Sequence, residues 1–96
     1  LSYSGDTDSC SGLEDAARDA DLFLCEAAFE EGRDDGIKDV HLTGKRAGEA
    51  AVAAGARRLL LTHIPVWTSP TTVMAEAKDV FGQHVAVAVA GVHYTV

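Results

Sequence analysis

Ninety-six residues, 47% of them hydrophobic and together carrying a formal net charge of −7, suit one small domain. At this length a chain buries only roughly 60–65% of its unfolded surface and folds with little margin. No apolar run approaches the ~18 residues of a membrane span, no signal peptide is visible, and two cysteines are too few for a disulfide framework, so composition points to a cytoplasmic, reducing setting.

Leu1-Ser2-Tyr3-Ser4 already reads as strand and the first residue is not Met, so a C-terminal fragment of a longer domain is expected. Ser11-Gly12-Leu13-Glu14 has the spacing of a capping box and opens a first helix, with Leu13, Ala16, Ala17 and Ala20 on one stripe. Leu22-Phe23-Leu24-Cys25 is a continuous apolar run, as expected of a strand covered on both faces, with Cys25 as a buried small hydrophobe. Residues 28–40 are polar and glycine-rich enough to form a long loop, the kind that often carries function. The acids crowd between Glu14 and Asp39, whereas Lys45-Arg46 and Arg57-Arg58 are the only adjacent basic pairs, a balance that repels polyanions.

Thr43 caps a second helix reaching Ala54, with Ala47, Ala50, Ala51 and Ala54 inward and Gly55 at the left-handed stop. Leu59 to Thr62 forms a third strand. Ser69-Pro70 starts a third helix with Val73, Ala77, Val80 and Phe81 inward, and Gly82 ends it. Val85 to Ala90 is a fourth strand, and Val92 to Val96 has the composition of a short terminal one. The order β-α-β-α-β-α-β predicts an α/β fold with a mostly parallel sheet.

Ligands of open α/β sheets bind beyond the carboxyl ends of the strands. Asp6 follows the first strand, Glu26 the second and His63 the third, while His41 precedes the second helix, so four titratable residues meet on one rim. Taken singly, each has a plainer reading: Asp6 as a turn residue, His63 as a hydrogen-bonded strand end, Glu26 as a solvated carboxylate. Their joint placement favours a site. His84 falls at the opposite edge, and His93 is assigned a structural role.

With these residues in place, the chain resembles the C-terminal half of a metallo-β-lactamase-fold hydrolase, from Tyr3 to the end, closest to the ribonuclease Z-like and cyclic-nucleotide phosphodiesterase branches. Ser4-Gly5-Asp6-Thr7 matches the family segment whose carboxylate bridges two metal ions, and Leu61-Thr62-His63 matches the strand end that gives a histidine to one of them. Cys25-Glu26-Ala27-Ala28 and His41-Leu42-Thr43 stand where ribonuclease Z-like members have His-Glu-Ala-Thr and His-Ser-Thr. Ile64-Pro65-Val66-Trp67 departs from the Ser-Pro-Arg-Tyr typical of ribonuclease Z and looks more like phosphodiesterase-type members from actinobacteria.

The resemblance implies half of an αββα sandwich, occupying 1–96 of one domain whose N-terminal half is absent. It implies Asp6 and His63 as metal ligands, His41 and Glu26 as catalytic residues, and two divalent ions, Zn²⁺ or else Mn²⁺. Such ions, about 3.5–4 Å apart, acidify a shared water and clamp the oxygens of a phosphodiester. The family's His-x-His-x-Asp-His motif has no counterpart here, so the chain by itself is expected to bind metal weakly and to be inactive.

The expected substrate is a small-molecule phosphodiester, a cyclic nucleotide in preference to tRNA because of the acidic surface, with no membrane partner and with a homodimer left open. The alternatives are a ribonuclease Z-like tRNA 3′-processing endonuclease and a non-catalytic half-domain or degenerate binding module. A haloacid-dehalogenase-like phosphatase is disfavoured because Asp8 lies too near Gly5-Asp6 to be that family's second acid.

Overall fold

A computed structural model describes residues 1–96. Its elements are β1 (Ser2–Tyr3), α1 (Ser11–Ala17), β2 (Phe23–Glu26), α2 (Gly44–Ala54), β3 (Leu59–Thr62), α3 (Pro70–Phe81) and β4 (Val85–Val87). All strands are parallel in the order β1-β2-β3-β4, with Tyr3 beside Leu24, Leu24 beside Leu60 and Leu60 beside Ala86.

Strand side chains alternate between faces. Phe23, Cys25, Leu59, Leu61 and Val85 join Leu13, Ala17, Ala47, Ala51, Val73 and Ala77 in one buried cluster, so the three helices cover a single face of the sheet. This corrects the expectation that β2 is covered on both faces: the row Tyr3, Leu24, Leu60, Ala86 carries no helix, and sequential parallel crossovers of one hand explain why. Cys25 is fully buried, and that burial pushes its thiol up to about 12, leaving it protonated and inert.

Helix starts and stops follow local chemistry in α2 and α3. Thr43 accepts the Arg46 amide and Gly55 is left-handed at φ 71°; Ser69 accepts the Thr72 amide with Pro70 in the first turn. The capping box at Ser11 does not form. Cys10 takes the extended cap position without a side-chain bond, Ser11 is already helical, and the helix stops at Ala17 because Arg18 leaves helical geometry and Asp19 turns left-handed at φ 54°. Ala16 is therefore exposed and Ala20 lies outside the helix. β4 ends at Val87, three residues short of expectation, and 92–96 form no strand. Its partner β3 ends at Thr62, and the Ala88 amide makes the last bond to it, on Leu61.

Candidate metal centre

Because the strands run parallel, the segments following β1, β2 and β3 emerge at one edge. Gly5, at φ 60°, turns the chain after β1 and leaves Asp6 exposed. His63 also adopts the left-handed region, at φ 54°, a conformation that costs a non-glycine residue about 1–2 kcal/mol and is tolerated where function demands it. These two turns bring the His63 Nδ1 to 2.6 Å from Asp6 Oδ1.

His41 joins them from the segment leading into α2. Its ring lies edge-on to His63 and edge-on to Phe29, with centroids 5.1 Å away in each case. Phe29 is fixed in turn by pairing with Thr43 and by its amide bond to Leu42. Ligating atoms of Asp6, His41 and His63 fall within 4.8 Å of one another. A carboxylate and an imidazole, Asp6 and His63, are donor types suited to Zn²⁺ or Mn²⁺, and the His41 imidazole stands within reach of the same point. The residues present therefore fit a divalent ion.

Behind the rim, Glu26 has no exposed surface. Its Oε1 accepts the Thr7 amide at 2.9 Å and lies 2.7 Å from His41 Nδ1, while Oε2 accepts the amides of Ala28 and Leu42. A carboxylate with that many donors is the way a buried charge is made tolerable. The plain reading of Glu26 as a solvated carboxylate is thus wrong. Since the carboxylate only accepts, Nδ1 of His41 carries a proton and Nε2 is the free nitrogen. Glu26 consequently ties together the loop holding Asp6, the end of β2 and the start of α2.

All four residues singled out in the sequence, Asp6, Glu26, His41 and His63, converge. Sequence reasoning missed the three backbone donors to Glu26 and the ring of Phe29, because neither leaves a residue-type signal. It weighed Asp8 only as a rejected second acid and missed its ion pair with Arg46. Burial pushes that carboxyl up, but the Ser9 and Asp39 amides and the Arg46 guanidinium outweigh burial and hold it below the ordinary range. A cleft of about 330 Å³ lies beside His63, lined by Thr62, Ile64, Pro70, Val87 and Ala88. His84 and His93 border a different cleft of about 290 Å³ with Arg58, Leu60 and Tyr94, away from the rim. No helix is long and apolar enough to cross a membrane.

No protein-family model matches the chain. It is 50% identical over 91 residues to an uncharacterized protein of Mycobacterium leprae, covering 95% of this chain and 32% of that protein. It is 37% identical over 94 residues to a ribonuclease Z of Myxococcus xanthus, covering 95% and 31% respectively. The crystal structure of the metallo-β-lactamase fold protein YhfI from Bacillus subtilis superposes with a TM-score of 0.80 at 34% identity, over 90% of this chain and 35% of that one. The chain spans about a third of the length of the curated relatives it matches.

Proposed function

This chain has the ribonuclease Z-like half of a metallo-β-lactamase fold, and we propose that it works as part of a longer metal-dependent hydrolase that cleaves a phosphodiester. The observation that carries the reading is the convergence of Asp6, His41 and His63, with Glu26 buried behind His41. Asp6 and His63 would hold divalent metal, Asp6 through its carboxylate and His63 through one imidazole nitrogen, with further ligands supplied by other residues of the longer protein. Bound divalent ions supply Lewis acidity and an acidified water.

The chain's own residues then orient and move a proton. Glu26 fixes His41 with Nδ1–H toward itself; when Nε2 also takes up a proton from solvent, the resulting imidazolium, paired with the Glu26 carboxylate, offsets charge on the phosphoryl oxygens or hands its Nε2 proton to the leaving oxygen. Phe29 keeps the imidazole from rotating away.

The favoured substrate is a small cyclic nucleotide. A net charge of −7 opposes a polyanion, and the arginines near the rim are engaged, Arg46 with Asp8 and Glu31, Arg33 with Glu30 and Asp34. The second reading is a ribonuclease Z-like endonuclease acting on tRNA, favoured by the similarity to a protein of that name.

The test uses the full-length protein with Zn²⁺ or Mn²⁺. Asp6→Ala is expected to lower phosphodiester turnover on the order of 10³-fold or more, and unchanged turnover would refute the assignment. His41→Ala is expected to keep its metal and lose turnover, whereas loss of bound metal would reassign His41 as a ligand. Side-by-side assay of a cyclic nucleotide and a precursor tRNA separates the two substrates.

A further inference from the structure

The β3–α3 loop holds its backbone tightly and leaves two adjacent apolar side chains, Val66 and Trp67, exposed, of which only Trp67 offers an aromatic face. The Thr68 amide donates to Pro65 O at 2.9 Å, closing a turn around Val66 and Trp67. Arg33, reaching over from the β2–α2 loop, donates to Trp67 O at 2.8 Å and to Thr68 Oγ1 at 2.7 Å, and Thr68 Oγ1 donates to Ala28 O at 2.7 Å. Thr68 is buried at 3% exposure, yet the adjacent Trp67 is 71% exposed. Folding would gain by covering an indole of this size. A fixed backbone with an open ring instead suits a contact made on binding, since little ordering remains to oppose it.

Trp67 follows His63 by four residues and so lies within about 14 Å of it along the chain. That reach is comparable with the span of one nucleotide from phosphate to base. We propose that Trp67 is a binding residue that stacks on the base of the nucleotide whose phosphate is cleaved at the Asp6, His41 and His63 cluster. The assignment rests on the phosphodiesterase reading above and adds the part of the substrate that sets specificity. A π-face accepts any base, with a preference for large purines from stacking area. Arg33 and Arg46 are held by carboxylates, which leaves them poorly placed to track a polyanion and favours a single nucleotide over an RNA strand.

The experiment compares wild type, Trp67→Phe and Trp67→Ala in the full-length protein. Trp67→Ala is expected to raise KM for a cyclic purine nucleotide about tenfold or more with kcat little changed, and to leave KM for a base-free cyclic ribose phosphate unaltered. Trp67→Phe is expected to recover most of the loss. Equal KM values for wild type and Trp67→Ala, or equal losses on the base-free substrate, would overturn the proposal. So would a change of oligomeric state in Trp67→Ala, which would make the tip a contact between copies, or an effect confined to precursor tRNA.

Binding is read separately as quenching of Trp67 emission by a purine mononucleotide, with Trp67→Phe subtracted as the blank. Quenching in a protein that hydrolyses no phosphodiester would support the stacking site while the hydrolase reading fails. Absence of quenching would overturn the stacking site whatever the enzyme does.

Discussion

Glu26 shows how one side chain can set the geometry of a whole rim. Its two oxygens face three backbone amides and an imidazole N–H, all donors. Glu26→Gln would turn an NH₂ toward some of them, leaving buried donors opposed to donors. We expect a loss of at least about 2 kcal/mol, read as a lower denaturant midpoint, together with a displaced His41. Asp8 gives a pH signature. Its carboxyl is held below the ordinary range, so its contribution is present above the unfolded value of about 3.9 and disappears as pH falls through the folded one. Asp8→Asn should therefore be less stable than wild type at pH 7 and equal to it in strong acid, as denaturant titrations at the two pH values would report. Glu76 works in the opposite sense: burial, aided by the nearby Glu31 and Glu30 charges, raises it, so its share of stability is lost as pH rises. Comparison of the two proteins at each pH, rather than one profile, isolates Asp8.

Among the elements, α2 and α3 depend on two glycines, Gly44 and Gly48, spaced one turn apart. A Cβ on Gly44 would fall 2.0 Å from the Val73 carbonyl oxygen, and one on Gly48 would fall 2.5 Å from a Val80 methyl and 3.0 Å from the Ala77 carbonyl oxygen. Alanine ordinarily strengthens a helix by up to about 1 kcal/mol over glycine. Here steric exclusion against backbone wins: Gly44→Ala should destabilise by about 3 kcal/mol or more, measured by thermal or denaturant unfolding. Gly48→Ala should cost less, because the Val80 side chain can move. The caps of α2 and α3 were legible at Thr43, Ser69 and Pro70 because they are satisfied within one turn of chain. The Ser11 box was misleading because a competing start at Cys10 and an early reversal at Asp19 shorten α1 to seven residues.

At the scale of the molecule, three helices on one face leave the other face of the sheet with Tyr3, Leu24, Leu60 and Ala86 in a row. Leu60 is covered, but Tyr3 is 56% exposed and Ala86 is open. A half-covered parallel sheet is unusual, since such sheets are normally buried on both sides. The 96-residue chain should therefore bind a hydrophobic dye such as ANS more strongly, per molecule, than a protein of similar size whose parallel sheet is covered on both faces, and equal dye binding would contradict this.

The sequence alone determined the parallel α/β order, the ends of α2 and α3, and the four polar residues at one sheet edge. Each follows from periodicity, a cap within one turn, or the rule that parallel strands deliver their ends together. Only the tertiary structure decided that Glu26 is a fully bonded buried carboxylate rather than a solvated one, that His41 sits edge-on to both Phe29 and His63, and that β4 stops where β3 stops pairing with it. Those outcomes depend on partners distant in sequence: Thr7 is 19 residues from Glu26, and Arg33 is 34 from the Trp67 carbonyl it holds. Local pattern carries no record of such pairs, because the free energy that fixes them arises only when the sheet brings separate loops to the same edge.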